Sequence, residues 1–193
     1  MSKTITKEEI SRLPIEEFSG EIHIIESLGE AISAIEYLSR FKELGFDTET
    51  RPTFKKGNMH EVALIQLATD NSCFLFRLNK IGFPEPLVQL LSNHDTMKIG
   101  LSLRDDFHSM KRRIKFIPQG FIELQKMIAD YDIADTGLQK IYALLFSKRI
   151  SKKQRLTNWE ADTLSEAQKK YAALDAWACL KIYRTLCHIK EYI

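Results

Sequence analysis

The stretch VALIQLAT, residues 62–69, constrains the fold of this chain more than any other. It is almost continuously apolar, without the alternation of a half-exposed strand, so a strand here is covered on both faces. Asp70 and Asn71 then supply turn chemistry, and SCFLFRL (72–78) returns as a second strand, which predicts a hairpin. Upstream, the isoleucine-rich EIHIIES (21–27) reads as a strand. Leu28, Ile32, Ile35 and Leu38 recur at helical spacing, and ELGFDTET (43–50) follows as another strand. Downstream, Leu87, Leu90 and Leu91 mark a short helix, MKIGL (97–101) a short strand, and residues 103–113 a helix. FIELQKMIADY (121–131) reads equally as strand or helix, whereas GLQKIYALLFSK (137–148) is helical, begun after Asp135. Residues 165–193 form a long final helix with Ser165 as its cap. Strands come mainly first and helices interleave from the middle onward, the order of an α/β protein whose mixed sheet is flanked by helices.

At 193 residues the chain suits one domain, residues 21–193, preceded by a polar arm over residues 1–20. A composition 44% hydrophobic and 28% charged is that of a soluble globular protein. No apolar run approaches the roughly 18 residues of a membrane span. The opening MSKTITKEEISRLP lacks the apolar core of a secretory signal. Cys73, Cys179 and Cys187 are too scattered for a disulfide framework or a zinc knuckle, so a reducing intracellular compartment is expected, the cytoplasm in a bacterium. Cys179 and Cys187, two turns apart on the final helix, read as core-facing thiols. His23, His60, His94, His108 and His188 show no ligand spacing. A net charge of +2 does not by itself call for a nucleic acid.

Three groups of acids stand out. Asp47 and Glu49 share one face of their strand, where two adjacent carboxylates repel and a divalent cation relieves them. Alone, the pair reads as well as a solvated strand end. Tyr171 and Asp175, at i and i+4, project from one face of the final helix among apolar neighbours. An Asp–Tyr hydrogen bond explains that pair equally. Asp105 and Asp106 follow a strand and glycine at the start of a helix, where capping is the simple alternative.

Taken together, these groups resemble the DEDD superfamily of 3′–5′ exonucleases. Asp47-x-Glu49 matches the first motif, Asp106 the acid after strand and glycine (with Asp105 its neighbouring alternative), and Tyr171-x-x-x-Asp175 the third. That last spacing is similar to the tyrosine subclass, since the histidine subclass would carry histidine where Lys170 stands. GFDTETRP, EVALIQLA, KIGLSLRDD, LTNWEADTLSEAQ and LSEAQKKYAALDAW resemble, in order, the blocks of Werner-type exonuclease domains, and ribonuclease D carries the same three motifs. The resemblance covers residues 21 to the end. It implies a ribonuclease-H-like, DnaQ-like α/β fold and two divalent cations, Mg²⁺ or Mn²⁺. Asp47 would bridge both, Glu49 and Asp175 hold the one that activates water, and Asp106 support the other. Tyr171 would orient the water, a phenol of pKa near 10 being a poor base at neutral pH.

The activity implied is hydrolysis of a nucleic acid from its free 3′ end to nucleoside 5′-monophosphates, with DNA before RNA. A ribonuclease-D-like RNA trimmer is the alternative within the family, and a non-catalytic nucleic-acid-binding module the alternative outside it. The presence of all four acids and the tyrosine argues against the inert module. The sequence read here stops at the final helix, so no appended helical RNA-binding domains or helicase are expected. Unwinding would fall to a helicase, repair or RNA-processing partner. Thr48 and Arg155 are the candidate substrate contacts. Phe54, Met59 and Trp159 are aromatic or apolar groups able to meet a base, although ordinary packing is the simpler reading of Trp159. Basic residues cluster at 148–155, at 111–115 and at Lys55-Lys56, either as phosphate tracks or as solvated surface.

Overall fold

The computed structural model describes residues 3–53 and 59–191. Its centre is the strand whose sequence demanded cover on both faces. All seven residues of β3 (Val62–Ala68) are buried. Leu64 and Ala68 enter one apolar cluster, while Ile65 and Leu67 enter the other on the opposite side of the sheet. Its neighbour β4 (Ser72–Arg77) is buried throughout and pairs with it antiparallel. The turn between them is closed by Thr69, whose N–H donates to the Ser72 carbonyl and whose Oγ1 accepts from the Ser72 N–H.

Four further strands complete the sheet: β1 (Glu21–Ile25), β2 (Glu43–Thr50), β5 (Met97–Gly100) and β6 (Phe121–Glu123). The order is β1-β4-β3-β2-β5-β6. β2 runs antiparallel to β3, whereas β1–β4, β2–β5 and β5–β6 are parallel, so the sheet is mixed as expected. One face is covered by α2 (Leu28–Leu38), α3 (Leu78–Ile81), α4 (Glu85–Leu91) and α5 (Leu103–Lys111). The other is covered by α6 (Leu124–Ile128), α7 (Leu138–Phe146) and α8 (Glu166–Glu191). The ambiguous FIELQKMIADY is both things in turn, the strand β6 and then α6 with a 3-10 turn at Ala129–Tyr131.

Two local features set the site. Gly45 of β2 faces α8 so closely that a Cβ there would lie 2.0 Å from the Ala176 carbonyl oxygen. Absence of a side chain lets the helix backbone settle onto the strand. The start of α8 is held by a reciprocal cap in which Ser165 Oγ accepts from the Gln168 N–H and Gln168 Oε1 accepts from the Ser165 N–H.

The polar N-terminal segment is docked on this frame. Helix α1 (Lys7–Arg12) is capped by Thr6, and Ile10 and Phe18 are buried. Ile15 forms a bridge with Arg149. Glu16 accepts from the Tyr142 hydroxyl at 2.6 Å and from the amines of Lys148 at 2.9 Å and Lys181 at 3.3 Å. Burial alone would raise the Glu16 carboxyl, but these bonds hold it down at about 2. No described helix is long and apolar enough to cross a membrane.

Candidate active site

The carboxylates of Asp47, Glu49 and Asp175 converge, each offering an oxygen within 4.8 Å of the others. Asp47 and Glu49 stand on β2 two positions apart, on the face that Gly45 opens to α8. Asp175 comes down from α8 one residue before Ala176, whose carbonyl lies over Gly45. The close approach of helix to strand is therefore what joins acids 126 and 128 positions apart in the chain. Just past Glu49 the pairing of β2 with β3 shifts register, so the regular ladder ends where the acids are presented.

Asp106, on α5, is not among the three converging carboxylates, but it lies near enough for its charge to raise Asp47 and Glu49. Thr48, between the two acids, points away from α8, and its hydroxyl donates to Asp106 Oδ1 on α5. Asp106 is half-buried while Asp105 is exposed. This geometry separates two residues that the sequence leaves as alternatives.

A residue the sequence reading passed over fixes the helix that carries Asp106. Ser102, at the start of α5, sits at φ 62 and has no side-chain cap. In its place Glu123, at the end of β6, accepts from the N–H groups of Ser102 at 3.0 Å and Leu103 at 2.7 Å. The Gln125 amide donates back to Ser102 Oγ at 3.0 Å. No local signal could have revealed Glu123, because its partners lie on a different element.

The electrostatics are those of a site built for positive charge. Burial pushes the Asp47 carboxyl well above the usual carboxylate range, reinforced by the charges of Asp106 and Asp175. Glu49 is raised in the same way by burial, Asp47, Asp175 and Asp106, with Arg155 opposing. Asp106 and Asp175 are also raised, first by burial; Thr48 opposes the shift of Asp106, while Tyr171, Lys152 and Arg155 oppose that of Asp175. Among the described residues Asp175 Oδ1 is buried without a hydrogen-bond partner. An orphaned carboxylate oxygen beside two more carboxylates fits a divalent cation, whose preferred ligands are hard oxygens.

Tyr171 lies one turn before Asp175, and burial together with the Asp175 and Glu49 charges keeps its phenol protonated. Its ring leans on Trp159 with centroids 6.0 Å apart. Trp159 is fully buried, which makes it a packing residue. Exposed Met59 accepts from Arg112 through its sulfur, and His60 faces Glu160 with Nδ1 to Oε1 at 3.2 Å. Phe54, Lys55 and Lys56 lie outside the described residues.

The basic runs divide by use. Arg113 donates to the carbonyls of Val62 and Leu78, Arg149 to that of Leu13, and Lys148 to Glu16, so these are internal braces. Lys152 and Arg155 are exposed, and both act on the acid cluster. The effect of Lys152 was not foreseen from sequence, where it is one cation among several. Of the two thiols on α8, Cys179 is buried and Cys187 half-buried.

Comparison with known proteins gives the chain a family. Residues 22–189 match the family described as 3′-5′ exonuclease. The mouse bifunctional 3′-5′ exonuclease/ATP-dependent helicase WRN is 34% identical over 191 residues, covering 93% of this chain and 14% of that protein. A 3′-5′ exonuclease of Arabidopsis thaliana is 32% identical over 159 residues, covering 78% of this chain and 54% of that protein. The chain thus spans little more than half, or much less, of these relatives' length. Escherichia coli RNase D, described as an exoribonuclease involved in structured RNA processing, superposes with a TM-score of 0.79 at 24% identity, over 89% of this chain and 46% of that one. The architecture is accordingly the ribonuclease-H-like, DnaQ-like fold that the motifs implied. With a family match over nearly its whole length, the chain belongs to the 3′-5′ exonuclease family.

Proposed function

We propose that the protein removes nucleotides from the 3′ end of a nucleic-acid strand, hydrolysing the terminal phosphodiester to release nucleoside 5′-monophosphates. The observation that carries this reading is the convergence of Asp47, Glu49 and Asp175 with one oxygen of Asp175 left unpaired. These three acids would hold one divalent cation, Mg²⁺ or Mn²⁺, and Asp47 with Asp106 a second. Bound cations supply Lewis-acid stabilisation of the charge that builds on the phosphate oxygens.

The chain's own groups do the rest. The Tyr171 phenol, kept protonated, serves as a hydrogen-bond group that orients the attacking water rather than as a base. Thr48 orients Asp106 through its hydroxyl proton, and from its place between Asp47 and Glu49 it also serves as a contact for the terminal nucleotide. Lys152 and Arg155, exposed beside the acids, contact the phosphates that approach them.

DNA with a recessed 3′ end is the preferred substrate in this reading, supported by the 34% identity to a Werner-type protein over 93% of the chain. Strand opening is left to a helicase or other repair or RNA-processing partner. The test is incubation of a 5′-labelled duplex with a recessed 3′ end, and of single-stranded RNA, with Mg²⁺, Mn²⁺ or EDTA. A ladder shortening from the 3′ end with metal, absent in EDTA and in Asp47→Ala, is the expected result. Faster shortening of RNA would move the reading to the ribonuclease-D-like alternative, and binding without cleavage of either strand would overturn it.

A further inference from the structure

Gln66 is the one strongly polar side chain within β3, and it is fully buried. Neither its amide oxygen nor its amide nitrogen has a hydrogen-bond partner among the described residues. Buried amides are nearly always satisfied, and an exception calls for an explanation such as an enclosed water or ion. Register supplies one. The direct cross-strand partners of Gln66 are Leu75 on β4 and Asp47 on β2. Directly opposed residues share a sheet face, with Cβ atoms about 4.5–5.5 Å apart. Along β3 its neighbours on that face are Leu64 and Ala68. Asp47 is therefore the only hydrogen-bonding side chain among its nearest partners in the sheet.

Two further orphans lie on this side, Trp159 Nε1 and Asp175 Oδ1, and the latter belongs to the same carboxylate cluster as Asp47. Gln66 and Asp175 thus both border the Asp47 carboxylate. A leucine at position 66 would pack among Leu64, Ala68 and Leu75 without leaving any polar atom orphaned. For packing alone, glutamine is the inferior choice.

We propose that Gln66 is a positioning residue for Asp47, whose amide, through an enclosed water, holds the Asp47 carboxylate in the orientation that receives a divalent cation. The amide offers two donors and an acceptor, and an enclosed water needs two to four polar partners, which the Gln66 amide and the Asp47 carboxylate supply. Groups that orient a metal-ligating side chain from behind change metal affinity or activity by about 10- to 100-fold when removed. The inference rests on the cation-site reading above.

Its test compares wild type with Gln66→Leu and with Gln66→Met, the latter close to glutamine in length. Mn²⁺ binding is read by titration calorimetry, the metal-free melting temperature by scanning calorimetry, and kcat and KM on a recessed duplex. The expected result is a metal-free melting temperature equal to or above that of wild type. Mn²⁺ affinity falls about 10- to 100-fold, and kcat falls while KM for the strand holds. Variants that bind Mn²⁺ and turn over like wild type overturn the assignment while leaving the cation site intact. So do variants that lose metal affinity only in proportion to a lowered melting temperature. Wild type that takes up no Mn²⁺ overturns the cation reading itself, and the Gln66 proposal with it.

Discussion

The Thr48 hydroxyl donates to a carboxylate oxygen of Asp106, 58 positions away, and so ties the strand bearing two of the acids to the helix bearing another. Thr48→Val keeps the shape and removes the donor. A hydrogen bond to a charged group contributes about 1.5–3 kcal/mol. We expect kcat to fall roughly tenfold through loss of Asp106 orientation, with a loss of stability no larger than that bond. Steady-state kinetics that match wild type would show that Asp106 is placed by α5 alone.

Gly45 is the contact on which the meeting of Asp175 with Asp47 depends. A Cβ at 2.0 Å from the Ala176 oxygen and 3.2 Å from Leu180 Cβ must push α8 off the strand. Gly45→Ala should destabilise the protein by about 1–3 kcal/mol, as overpacking does. It should also lower kcat about 100-fold, the usual consequence of a shift of about 1 Å in a catalytic group. Thermal denaturation and turnover measured together check this, and an unchanged value of either would contradict it.

The acid cluster makes the metal-free protein sensitive to pH. Asp47, Glu49, Asp106 and Asp175 are all raised, first by burial, with repulsion from the other acids of the cluster adding to the shifts of Asp47 and Glu49; Asp106 and Asp175 reach about 7 and Glu49 about 10. Between the ordinary carboxylate range near 4 and these values the folded state binds more protons than the unfolded chain. Stability from these groups is therefore full below the unfolded value and lost as pH rises through the folded ones. In EDTA the melting temperature should fall by a few degrees between pH 5.5 and 8. Asp175→Asn should flatten that slope and melt higher than wild type at pH 8 while losing activity. Mn²⁺ should restore the melting temperature of wild type only.

Lys152 and Arg155 are exposed, so their removal should leave stability within about 0.5 kcal/mol. Each alanine variant should raise KM several-fold. The slope of log affinity against log salt should become shallower by about 0.7–0.9 per charge removed if each meets one phosphate. A salt dependence identical to wild type would assign both cations to solvated surface.

Much of this was legible in the sequence because it is local. The i, i+2 pair on a strand and the i, i+4 pair on a helix are fixed by backbone period, and both Asp47 with Glu49 and Tyr171 with Asp175 fall where those periods put them. The hairpin of β3 and β4 follows from a buried run, a turn dipeptide and a second run. Decisions that need a distant partner were not legible. Asp105 and Asp106 are equivalent within their own helix, and the bond from Thr48 and the burial of Asp106 are what distinguish them. The N-terminal segment looks like a polar arm because most of its surface is polar, yet Ile10, Glu16 and Phe18 are buried in the fold. Gln66 hides within an apolar run, and only the register with β2 sets it opposite Asp47.

Anomalous scattering from crystals soaked in Mn²⁺ tests the central claim most directly. The account predicts an ion bound by oxygens of Asp47, Glu49 and Asp175, with a second between Asp47 and Asp106, and loss of both in Asp47→Ala. A well-ordered site at saturating Mn²⁺ with these carboxylates in place and no anomalous peak among them would contradict it.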